Sequence, residues 1–218
     1  MKKIFCFLFT FLSLIISSYC QTSTEYNNSG ILKADSGDYF GSIKDFNKAI
    51  ELNPNDATVY INRGVSKNRL KDYFGAINDL NIAIKLDPND PVAYLNKGIV
   101  LKNQKEYIEA IKAYNKYIKL KPNDSESYNL RGFSKAKLKD YIGSIQDFNM
   151  AIKLNPNDVS AFINRGHSKK LLNDKKGACL DYSKAGELGY EQAYDFIKEY
   201  CNEWRIVYSL EIRKKVLG

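Results

Sequence analysis

Apolar positions along the chain repeat on two scales. Over short stretches they fall three and four residues apart, as in Tyr73, Ile77, Leu80, Ala83, Ile84 and Leu86, which places them on one face of a helix. Over longer stretches the whole pattern returns every 34 residues. Pro54, Pro88, Pro122 and Pro156 keep this step, each followed by Asn-Asp. Gly30, Gly64, Gly98, Gly132 and Gly166 keep it too, as do Tyr26, Tyr60, Tyr94, Tyr128 and Phe162. The spacing predicts two helices per unit. In the second unit, Asp56 is placed to cap a helix over 57–70 by accepting a backbone N–H. Asp90 does the same in the third unit, with Pro91 at the first helical position, where no N–H is needed. Lys71-Asp72 forms the turn, Asp72 caps the second helix, and Pro88 stops it. A lone helix pair cannot bury its apolar stripe, so the units must stack. Five of them fill the chain: 23–56, 57–90, 91–124, 125–158 and 159–190.

The agreement at Tyr60, Gly64, Tyr73, Ala76, Leu80, Ala83 and Pro88, recurring in register, resembles the tetratricopeptide repeat over about three-quarters of the chain. The form is the variant reading Tyr60-Ile61-Asn62-Arg63-Gly64. The resemblance implies an all-α, right-handed α-solenoid of stacked antiparallel helix pairs. The fifth unit departs from the pattern at Lys175, Gly186 and Tyr190, as expected where an array ends. Residues 191–202 then read as a capping helix, with Tyr194, Ile197 and Cys201 on one face. In the tail, 203–218, apolar Trp204, Ile206, Tyr208, Leu210 and Ile212 alternate with their neighbours, a strand-like period of two. A further capping segment, a strand-edge binding tail and disorder all remain open readings of it.

The resemblance also implies a binding groove on the concave face, lined by the first helix of each unit. Carried onto this sequence, its lining is Asn28, Ile31, Asn62, Val65, Arg69, Asn96, Ile99, Asn103, Phe133, Lys137, Asn164 and His167. Asn28, Asn62, Asn96 and Asn164 share one place, interrupted by Leu130. Such a row of carboxamides reads equally as a comb for a peptide backbone and as a set of repeat-to-repeat bonds. Ile31, Val65, Ile99 and Phe133 form an apolar strip beside it. A clamp for a terminal carboxylate is not spelled, because only Asn62 matches the residues it requires. Arg63, Arg131, Arg165 and Lys97 hold one further place, and Asp45, Asp79, Asp147 and Asp181 another. Repeat-to-repeat charge-assisted bonds are expected between the two rows, with a basic ligand-binding row as the other reading, and one cation is left over where Ala113 replaces the acid.

Met1-Lys2-Lys3 precedes an apolar run, Ile4 to Ile16, whose thirteen residues span about 20 Å as a helix. That is short of the ~30 Å hydrocarbon core. Residues 1–20 therefore read as a signal peptide cleaved before Gln21, giving a periplasmic or secreted protein. A lipoprotein acylated on Cys20 competes with this reading, although Tyr19 is large for such a signal, and an uncleaved anchor is the third alternative. Cleavage would leave Cys179 and Cys201, an even pair in an oxidising compartment and thus a disulfide candidate. The other reading of Cys179 is a small apolar residue on the buried stripe.

Composition narrows the chemistry. The net charge is +8, with a single histidine and four cysteines. No zinc site of the usual spacing, phosphate-cradling glycine loop or catalytic residue set can be assembled, so no metal, cofactor or enzymatic activity is expected. The lysines are dispersed and the export reading separates them from nucleic acid, so no nucleic-acid partner is expected. Peripheral association with an anionic envelope remains open. The expectation is a non-catalytic scaffold or adaptor holding a protein or peptide in its groove, of unstated oligomeric state. The rival is an accessory structural subunit of a cell-envelope complex, attached through its tail or an acylated Cys20.

Overall fold

The computed structural model describes residues 22–201. Segment 1–20, read from the sequence as a signal peptide, with its Cys20, and the tail 203–218 lie outside the described residues. Two compact units divide between Pro88 and Asn89. The first holds α1 (Ser23–Asp35), α2 (Tyr39–Leu52), α3 (Ala57–Arg69) and α4 (Tyr73–Leu86). The second holds α5 (Pro91–Asn103), α6 (Tyr107–Leu120), α7 (Ser125–Lys137), α8 (Tyr141–Leu154), α9 (Val159–Leu171), α10 (Lys175–Glu187) and α11 (Ala193–Tyr200). No strand occurs among the described residues. Within each unit, consecutive helices pair and each pair packs on the next.

Capping explains where the helices begin. Asp56, Asp90, Asp124 and Asp158 each accept a backbone N–H at the start of a first helix. Asp38, Asp72, Asp140 and Asp174 do so for second helices, each accepting from a glycine three residues on. The glycine is there for space: a Cβ on Gly75 would come within 2.8 Å of Asp72 Cγ. The third repeat has lost both partners together. Glu106 stands at its cap, Glu109 replaces the glycine, and no side-chain cap bond forms. Between the paired helices, one residue per repeat turns left-handed: Gly37, Lys71, Lys105, Lys139 and Asn173.

The core runs between the helix pairs. In the first unit Phe46, Ala49 and Val59 are buried with Tyr26 and Ile50 against them. At the end of the second, Ala178, Cys179, Tyr182, Ile197 and Cys201 form a cluster covered by Ile163, Phe196 and Tyr200. Cys179 and Cys201 are bonded, with Cα atoms 5.9 Å apart, so α11 is tied covalently to α10. The sequence alone allowed a longer cap, but α11 stops at Tyr200.

Tyr114 departs from the pattern. Its ring is fully buried, yet its hydroxyl is the buried side-chain polar atom left without a hydrogen bond among the described residues. Burial pushes this phenol well above its ordinary value. Phe46, Leu80 and Phe148 fill the same place elsewhere. Tyr114→Phe is therefore expected to stabilise the protein by about 1 kcal/mol, removing an unmet desolvation penalty, as read by urea unfolding.

Candidate functional site

The charged rows are structural, and they are wired differently from the sequence expectation. In the first unit Arg63 grips Asp79 of its own repeat through two bonds of 2.9 and 2.7 Å. Lys67 adds a second cation at 2.8 Å. Arg131 and Lys135 hold Asp147 in the same way, and Arg165 and Lys169 hold Asp181. The expected pairing between repeats is thus corrected to pairing within each repeat. The link between repeats runs through asparagine: Asn47, Asn115 and Asn149 accept from Nη1 of Arg63, Arg131 and Arg165. Both the asparagines and the lysines escaped the sequence reading. Their signal was there, since Asn47, Asn81, Asn115 and Asn149 keep the 34-residue step. In the third repeat the acid and the lysine are replaced together by Ala113 and Leu101, both buried. Lys97 is not left without a partner, contrary to expectation.

The asparagine row is largely committed. In the first unit, Asn62 Nδ2 donates to Asn27 Oδ1 of the preceding repeat at 3.1 Å. Asn28 and Arg69 are exposed, Ile31 lies at 37% exposure and Val65 is half-buried. In the second unit Asn164 donates to Asn129 at 3.0 Å, while Asn96 turns back to its own helix at Val92 O, 2.9 Å away. Ile99 is half-buried and Asn103 exposed. Of the two readings left open, the repeat-to-repeat bond describes Asn62 and Asn164. It joins side chain to side chain, and Asn96 does neither.

Four sequence-selected residues do come together. Phe133 and Lys137 on α7 and Asn164 and His167 on α9 line a cavity of about 200 Å³ with Ala136, Phe148, Ser168 and Leu171. Lys137 Nζ lies 5.0 Å from the Phe133 ring centroid, covering its face with charge. His167 Nδ1 and the Tyr182 hydroxyl share a hydrogen bond of 3.1 Å. The other side of the imidazole meets Phe196 of α11 edge-on, at 5.0 Å between centroids. Burial first, then the nearby charges of Lys170 and Lys137, hold the imidazole below its ordinary 6.5. The ring is neutral at pH 7, and acidification toward that depressed value works against its packing. Burial likewise raises the Tyr182 phenol, so the pair is a neutral hydrogen-bonded wall. No carboxylate lines the cavity, its floor is apolar, and its charged rim residue is a cation. Such a cleft is suited to an apolar side chain carried on an extended segment.

Family models of the tetratricopeptide repeat match residues 32–69, 91–124 and 125–158. The chain is a tetratricopeptide repeat protein. Its fold is the all-α solenoid of that family. Solved structures agree. Residues 41 to the end of MamA from Desulfovibrio magneticus RS-1 are 23% identical, with a TM-score of 0.73 over 78% of this chain and 96% of that one. YrrB, described as a TPR protein with an unusual peptide-binding site, is 19% identical, with a TM-score of 0.71 over 85% of this chain and 97% of that one. At these identities the likeness is one of fold. A comparison with curated protein sequences finds no match. In this tetratricopeptide repeat protein the candidate site is local: an open apolar cavity lined by α7, α8 and α9.

Proposed function

We propose that the chain is a non-catalytic protein-interaction scaffold that seats an apolar side chain of a protein or peptide partner in the α7–α9 cavity. The observation carrying this reading is that cavity itself, with Phe133, Leu171 and His167 as walls and Lys137 at its rim. YrrB, a TPR protein described as having an unusual peptide-binding site, lends support by analogy of fold. The reading differs from a backbone-reading asparagine comb, because the bonds of Asn62 and Asn164 already hold repeats together. We further propose that the protein works outside the reducing cytosol. The nearly or fully buried cysteines of the Cys179–Cys201 bond and the basic-apolar start of the chain support this.

The test is affinity capture from the cells that make the protein, with full-length chains compared. Leu171 is 59% exposed, so Leu171→Glu spares the core while placing a carboxylate at the cavity. The variant is expected to lose a partner that the wild type retains, at unchanged helicity. Retention by Leu171→Glu would sink the cavity reading.

A further inference from the structure

The charges around this cavity are unbalanced. α9 contains no acidic residue, and the acid of α7, Glu126, lies in its first turn, about 16 Å of helix from Lys137 at the other end. Asp147 of α8 and Asp181 of α10 are each committed to an arginine and a lysine. Two lysines of α7 and α9 are left over. Lys137 Nζ lies 5.0 Å from the Phe133 ring centroid, and Lys170 Nζ lies 4.7 Å from that of Tyr200. Neither meets a carboxylate among the described residues. His167, on the cavity wall, feels both: after burial, the charges of Lys170 and Lys137 hold its imidazole below its ordinary value. We propose that the cavity selects a peptide segment in which an apolar side chain neighbours an aspartate or glutamate, with Lys137 as the residue that reads the acid.

Lys137 does more than add charge. Its ammonium lies over the Phe133 ring, which lines the cavity, so an incoming apolar side chain competes with it for that face. A neutral segment must displace the ammonium without giving it a partner. An acidic segment offers it a charge-assisted bond instead. Pairing with the carboxylate draws Nζ off the ring, and the freed face joins Phe148 and Leu171 as a seat for the apolar side chain. Lys137 is exposed, so the ion pair forms at the rim and leaves no buried charge behind. A segment with lysine or arginine in place of the acid meets like charge from α7 and from Lys170 of α9, which disfavours it. The inference rests on the reading of this cavity as the docking cleft and adds the class of segment it admits.

The test is selection from a displayed library of random linear peptides on the full-length, oxidised chain, with Lys137→Gln and Leu171→Glu run in parallel and circular dichroism as the folding control. Wild type is expected to select an apolar residue with Asp or Glu beside it. Lys137→Gln, at an exposed position, should keep the apolar residue and lose the acid. A selected peptide is then compared by fluorescence anisotropy with its counterpart carrying Asn or Gln in place of the acid. Wild type should favour the acid by about fivefold, the gain of one rim ion pair, and Lys137→Gln by less than about twofold. Selection of apolar residues without an acid overturns the proposal and leaves the docking cleft standing. So does an acid preference that survives Lys137→Gln. Binding indifferent to Leu171→Glu, or no selection at all, overturns both the proposal and the cleft.

Discussion

Replacing Asp147 with alanine is expected to destabilise the protein by about 3 kcal/mol. The Asp147 side chain is 5% exposed and holds two cations, Arg131 at 2.5 Å and Lys135 at 2.8 Å. Removing one member of a buried ion pair costs about 3–5 kcal/mol, because the remaining charge stays desolvated. The lower end applies here, since the side chains of Arg131 and Lys135 retain 17% and 21% exposure and can recover some water. Arg131 would also keep its bond to Asn115 of the preceding repeat. The chain contains an apolar alternative in its third repeat, where Leu101 and Ala113 stand at the lysine and aspartate places. Lys135→Leu combined with Asp147→Ala should therefore recover part of the loss. Urea unfolding at pH 7 of the two variants beside the wild type checks both statements. A single variant within about 0.5 kcal/mol of wild type would show that the network is solvent-screened like a surface pair.

Opening the Cys179–Cys201 bond is the second large effect. The bond joins residues 22 apart, and the chain-entropy model assigns a loop of that size about 3 kcal/mol. The loss should be local, because α11 has only eight residues and packs mainly on α10. Without the tie, a helix this short is marginal. In a Cys179→Ala/Cys201→Ala variant, amide exchange is expected to accelerate through α11 while the α1–α4 unit keeps its protection. The His167 environment should change as well. Loss of Phe196 lessens its burial and moves the imidazole back up toward 6.5, visible by NMR titration. Unchanged exchange in α11 would mean that Ile197 and Phe196 hold the cap without the bond.

The two effects separate what a repeat sequence can and cannot spell. Helix limits were legible because caps and turns are local chemistry: Asp56, Asp72 and Asp90 act within three residues of themselves. The aspartate and arginine rows were visible as rows. Their wiring was not, because a 34-residue period is blind to whether position 63 meets position 79 or a neighbour in another repeat. The third members, Asn47 and Lys67, were hidden because an asparagine and a lysine look ordinary in a polar helix sequence. The asparagines at 62 and 164 were legible as polar and periodic, but an amide pair and a ligand comb have the same periodicity. The cavity is the least legible feature. Phe133, Lys137, Asn164 and His167 could each be placed on a first helix, but a void is a property of packing between α7, α8 and α9.

The central claim is that this cavity seats the partner. Its most direct test is site-specific photo-crosslinking in the full-length chain, with the crosslinker at position 171 on the cavity wall and, separately, at 180. Leu180 is 47% exposed on α10 and does not line the cavity. The account predicts a partner adduct from 171 and none from 180, with the adduct mapping to an apolar residue of the partner. A partner adduct from 180 with none from 171 would contradict it.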